Sequence, residues 1–243
     1  RRDRVIINTL NRPDPMNAPN GARSTGLWNA LQELDADDSL TAGVITGNGR
    51  GFCSGMDLKA FARGEDIGPL TTFVRSGSAK PLIAAIEGFA LAGGCEIALT
   101  CDLLVASKGA KIGIREVKVG LFAGAGGVFR LPARVGYTKA MEMAITGEPI
   151  TAETAMEVGM LSELTEPGGA LEAAIGWAER IAENAPLAVS ASKKLVRAAA
   201  QGIDEDALWK MQEPLAKKVF SSNDAKEGPA AFAEKRAPKW TGT

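Results

Sequence analysis

Two apolar runs separated by a pair of glycines and a carboxylate constrain this chain more than any other feature. Leu82 to Ile86 precedes Leu91-Ala92-Gly93-Gly94-Cys95-Glu96, which opens a second apolar run from Ile97 to Val105. A strand that turns through glycines into a helix leaves unpaired backbone N–H groups at the helix start, and glycine lets a ligand come close to that backbone. With a carboxylate beside such donors, an oxyanion can rest on the amides while Glu96 handles a proton. Taken alone, Gly-Gly-x-Glu reads first as a tight turn in which Glu96 complements the helix dipole.

The 243 residues, 45% of them hydrophobic, suffice for one sizeable domain or two small ones. A net charge of −1 and the lack of a dense Lys/Arg run argue against a nucleic-acid surface. No apolar run reaches the roughly 18 residues of a membrane span, so no membrane partner is expected. Cys53, Cys95 and Cys101 are odd in number and lack metal-ligand spacing, which fits small core residues in a reducing, cytoplasmic setting. The chain has no histidine. That excludes Ser-His-Asp and Cys-His nucleophile systems and argues against a zinc site, so acid/base chemistry falls first on carboxylates.

Along the chain, Val5 to Leu10 reads as a strand, and Ser24 is placed to cap a helix carrying Leu27, Trp28, Leu31 and Leu34. Gly43 to Thr46 is a short buried strand that exits into the glycine-rich loop Gly47 to Lys59, where α/β folds place ligands. Residues 60 to 80 read as a loop before a short helix. Strands at Leu82 to Ile86 and Leu103 to Ala106 flank the Gly-Gly turn, which describes stacked βα units with strands buried on both faces. Gly124-Ala125-Gly126-Gly127 enters a helix that Pro132 and Gly136 keep short. From Tyr137 onward the pattern is mostly helical: Thr151 and Asp204 read as caps, Pro214 as a kink or break, and Asp224-x-x-Glu227 as a capped start.

Three pieces stand in order: Ser54-Gly55-Met56-Asp57-Leu58-Lys59, then Gly93-Gly94-Cys95-Glu96, then Glu116 ahead of Gly124-Ala125-Gly126-Gly127. Together they resemble the crotonase superfamily, closest to the enoyl-CoA hydratases, from Asn11-Arg12-Pro13 through Glu234-Lys235-Arg236. The resemblance implies an α/β fold, a spiral of ββα units over residues 1–190 followed by a helical trimerisation region over 191–243. It also implies an acyl-CoA thioester substrate, a homotrimer or dimer of trimers, and no metal or redox cofactor. The Met56 and Gly93 N–H groups match the family's two oxyanion-hole donors, and Glu96 and Glu116 match its two acid/base groups. Lys59 and Lys235 match basic positions that reach CoA. Asp57 reads as a turn or cap residue, and Cys95 as packing, because no base is at hand to activate it.

The chain departs from the family pattern at three places. Met56 stands where Ala is frequent, Arg115 precedes Glu116 where Pro is usual, and Phe122-Ala123 replaces Ile-Pro. Met56 and Phe122 bear on the shape of the acyl pocket. Arg115 either depresses the Glu116 pKa or points away from it. The expected reaction is hydration of a trans-2-enoyl-CoA to a 3-hydroxyacyl-CoA. The alternatives are a crotonase-type isomerase or dehydratase of a specialised acyl-CoA, and a non-catalytic acyl-CoA-binding member.

Overall fold

The computed structural model describes residues 1–57, 60 and 62–243. Five parallel strands form the main sheet: β1 (Val5–Leu10), β2 (Ala42–Gly47), β3 (Leu82–Ile86), β5 (Leu103–Ser107) and β8 (Glu163–Thr165), in the order β1-β2-β3-β5-β8. Both faces are covered, which is why these strands read as unbroken apolar runs. Ile45, Leu82, Ala84, Ile86 and Leu104 pack into the larger core with Leu27, Leu31 and Leu34 of α1 (Gly21–Ala36). Their neighbours Val44, Ile83, Ala85 and Val105 point the other way, onto Ala170, Ala174, Ile175 and Ala178 of α7 (Ala170–Ala182).

A second, smaller sheet contains β4 (Phe89–Leu91), β6 (Lys111–Gly113) and β7 (Ile150–Thr151), with β4 and β6 parallel and β7 antiparallel to β6. It revises the expected step from Leu82–Ile86 directly into the Gly-Gly turn. β4 intervenes, so the repeating unit is ββα: a strand in each sheet, then a helix. β3, β4 and α3 (Gly93–Thr100) make one unit, and β5, β6 and α4 (Gly127–Val135) make the next. Three residues are too few to show a period of two, which hides β4 and β6 from a pattern reading.

Other differences are local. Asn20, not Ser24, caps α1, its side chain accepting from the Arg23 N–H, while buried Ser24 donates its hydroxyl to the Asn20 carbonyl. Residues 68–76 form α2 (Gly68–Ser76), the short helix expected within that poorly patterned stretch. α5 (Tyr137–Thr146) and α6 (Ala152–Glu157) follow, the latter capped by Thr151 as expected. α8 (Pro186–Ala200) runs through residues 190 and 191, and α9 (Glu205–Phe220) is capped by Asp204 and carries Pro214 without breaking. α10 (Asp224–Ala233) begins after Asn223 with no side-chain cap, because Asp224 instead accepts from the backbone of Thr241 and Gly242. None of the described helices is long and apolar enough to cross a membrane.

Candidate active site

A cavity of about 940 Å³ lies over the small sheet, lined among others by Met56, Gly93, Glu96 and Glu116. Three separated segments therefore bring their candidate residues to one space.

The turn before α3 depends on backbone geometry. Ala92 takes a φ of 50°, an uncommon conformation for a residue with a Cβ, and aims the first N–H groups of α3 outward. The loop 53–57 comes close to that helix start. Cys53 pairs with Ala90 as a parallel bridge, and a Cβ on Gly94 would sit 2.3 Å from the Cys53 carbonyl oxygen. Gly55, at φ 102°, has room for no side chain either, since a Cβ there would lie 2.8 Å from the Ala92 Cβ and 3.1 Å from the Gly93 nitrogen. A Cβ on Gly93 would in turn touch the Met56 nitrogen at 3.4 Å. The two amides thus share one locus, and among the described residues neither N–H has a hydrogen-bond partner. Asp57 behaves as a turn residue, accepting from the Ala60 N–H and pairing with Arg12 at 2.8 Å.

Glu96, in the first turn of α3, is 3% exposed. Its Oε1 accepts from the Gly127 N–H at 2.9 Å, so the start of α4 fixes the carboxyl. Gly127 leaves space for that contact, because a Cβ there would press on Ile114, Ala123 and the Glu96 Cγ at 3.0 to 3.1 Å. Burial pushes the Glu96 carboxyl up to about 7, and the negative charge of Glu116 adds to the rise. The Gly127 and Ala125 N–H groups and the Arg130 guanidinium pull the other way.

Glu116 opens a 3₁₀ turn, Glu116–Val119. Burial raises its carboxyl above the ordinary glutamate range, opposed by the Glu116 and Arg115 N–H groups. Its Oε2 is buried and has no hydrogen-bond partner among the described residues. A buried polar atom left open in this way is costly and points to a functional group. The Arg115 side chain does not depress Glu116; its charge acts on Glu148 instead.

Cys95 is buried, and its thiol is pushed up by burial first and by the charges of Glu96 and Glu116 next, so it packs rather than attacks. Among the described residues no cluster of metal-ligating side chains occurs.

The enoyl-CoA hydratase/isomerase family model matches residues 1–243. The chain belongs to that family. It is 38% identical to the 2,3-dehydroadipyl-CoA hydratase of Escherichia coli K12, over 100% of this chain and 97% of that protein. It is 37% identical to the carnitinyl-CoA dehydratase of Proteus mirabilis, over 99% and 96% respectively. The crystal structure of the enoyl-CoA hydratase EchA1 from Mycobacterium marinum superimposes with a TM-score of 0.95 at 51% identity, covering 100% of this chain and 97% of that one. The fold is the crotonase fold.

Of the family positions expected to reach CoA, Lys59 lies outside the described residues. Lys235 is exposed just past α10 and does not line the cavity. Met56 and Phe122 do line it, as their departures from the family pattern anticipated. Sequence reasoning missed the roles of Gly127 and Arg130. The first was visible as a glycine at a helix start. Arg130 is held by the nearby Ala125 carbonyl and, from far along the chain, by the Val74 carbonyl and the Thr100 hydroxyl, which no local pattern reveals.

Proposed function

We propose that this protein adds water across the double bond of trans-2-enoyl-CoA thioesters to give 3-hydroxyacyl-CoA. The observation that carries the reading is the meeting of two carboxyls of raised pKa with two free amides in one cavity. Attack of water on the β-carbon moves negative charge onto the thioester oxygen, where the Met56 and Gly93 N–H groups stabilise it; one such donor is typically worth about 10²- to 10³-fold in rate. One carboxylate takes the proton of the attacking water, and the other carboxyl delivers a proton to the α-carbon. Each contributes roughly 10²- to 10⁴-fold. One proton shared between Glu96 and Glu116 meets both needs, and the mutual repulsion that raises Glu96 favours that singly protonated pair.

The reading calls on no metal or redox cofactor, since amides and carboxyls supply the charge stabilisation and the protons. Lys59 and Lys235 are assigned to the CoA moiety, Lys235 across a subunit contact. Run in reverse on a 3-hydroxyacyl-CoA, the same groups perform dehydration, the reaction named for the Proteus relative.

The test is incubation with crotonyl-CoA. Loss of the enoyl-thioester absorbance with a product one water heavier supports the proposal. A double-bond-shifted product of unchanged mass, or tight binding without turnover over a range of chain lengths, overturns it.

A further inference from the structure

A second cavity, of about 430 Å³, opens between the C-terminal end of α2 and the helices α8 and α9. Arg75, Lys193, Lys194, Arg197 and Lys218 line it, and among the described residues no carboxylate does. One of these charges is already answered: Lys193 pairs with Asp102 at 2.7 Å. The Arg197 guanidinium lies close to Gly77, just past the C-terminal end of α2. The side chains of Arg75, Lys194 and Lys218 have no hydrogen-bond or ion-pair partner among the described residues. Like charges gathered around a cavity with no counter-charge attract an anion.

Arg75 is the one described residue that lines both this cavity and the larger one. α2 contributes Leu70, Thr71, Val74 and then Arg75 to the wall of the larger cavity, so a mostly apolar surface leads to a guanidinium. Two other cations of that cavity are engaged elsewhere: Arg130 is held by two carbonyls and a hydroxyl, and Lys118 pairs with Glu148. The Arg115 charge acts on Glu148 without a hydrogen bond among the described residues. Among the described residues Arg75, unlike Arg130 and Lys118, keeps its donors available, and unlike Arg115 it has further cations beside it in the adjoining cavity. A methyl-terminated chain brought to that end would desolvate the guanidinium with no compensating bond, whereas a carboxylate would form a charge-assisted, bidentate pair.

We infer that the preferred substrates are acyl-CoA thioesters whose chain ends in a second carboxylate, bound by Arg75 with Lys194 and Lys218 raising the local potential. The inference rests on the larger cavity holding the acyl-CoA thioester.

Titration calorimetry tests it without requiring turnover. Adipyl-, suberyl- and sebacyl-CoA are compared with hexanoyl-, octanoyl- and decanoyl-CoA on the full chain, so the CoA contribution cancels within each pair. The carboxylated member of at least one pair is expected to bind more tightly. Arg75→Leu is expected to cut that preference roughly 10- to 100-fold, the worth of one charge-assisted hydrogen bond, and Arg75→Lys to keep part of it. Equal affinity within every pair overturns the inference, and so does an Arg75→Leu variant that weakens both members alike, which would assign the cation to the CoA phosphates. Crotonyl-CoA turnover, followed separately, reports on the hydratase reading: a protein inert towards crotonyl-CoA that still prefers carboxylated chains keeps this inference and loses that reading.

Discussion

At the scale of single residues, Glu96 couples function to stability. A glutamate has an ordinary pKa near 4.5, and in the folded chain this one is raised to about 7 by burial. Below the lower value folded and unfolded chains both hold the proton; above the upper value neither does. Between them the folded chain binds the proton more tightly, so this group makes stability fall as pH rises through the window. At full ionisation the cost is roughly 3 kcal/mol. Glu96→Gln, which keeps an acceptor for the Gly127 N–H, is therefore expected to raise the urea midpoint at about pH 8, with the gain vanishing near pH 4. An equal gain at both pH values would show that ionisation is not the cause. The same shifts give a pH profile for kcat/KM that falls on both sides of neutrality: on the acid side both carboxyls are protonated, and on the alkaline side both are ionised. The apparent pKa values belong to the pair. A profile flat from about pH 5 to 9 would remove the shared proton from the mechanism.

At the scale of elements, the glycines of the loop 53–57 and of α3 hold two backbone segments at van der Waals distance. Gly94→Ala would drive a Cβ to 2.3 Å from the Cys53 carbonyl oxygen. The expected cost is about 1–3 kcal/mol of stability, with the Met56 amide displaced and kcat reduced; calorimetric melting and crotonyl-CoA kinetics check both. Full activity and an unchanged Tm would show that the approach is not needed. This is also where the legible part of the chain ends. The longer strands of the main sheet and the Gly-Gly turn carry their pattern within a few residues, and the ordered motifs bring Met56, Gly93, Glu96 and Glu116 together as a set. β4 and β6 are too short for a period to register, and Ser24 is lost as a cap because it lies a turn inside α1, its hydroxyl donating to the Asn20 carbonyl. Asp224 and Glu227 are drawn away from capping by partners about ten to twenty residues on, Thr241, Gly242, Arg236 and Lys239, which local sequence does not encode.

At the scale of the whole molecule, the C-terminal helices leave large apolar side chains in solvent: Trp209 is 57% exposed, Phe220 79% and Phe232 87%. Such a surface suits the trimer proposed for α8 to α10 and would carry Lys235 toward a neighbouring site. Light scattering is expected to give a mass of three or six chains, and Phe220→Asp with Phe232→Asp to lower it; a monomeric wild-type chain would refute the assembly. The site itself is a whole-molecule property, because the segments holding Met56, Gly93, Glu96 and Glu116 meet only when both sheets and the start of α4 are in place. The claim that Glu96 and Glu116 work as one acid/base pair is tested most directly by kcat/KM for crotonyl-CoA hydration in Glu96→Gln, Glu116→Gln and the double variant. Each single variant is predicted to lose about 10²- to 10⁴-fold, with the double variant little worse than the poorer single, as for groups that act as a unit. Wild-type activity in either single variant would contradict it.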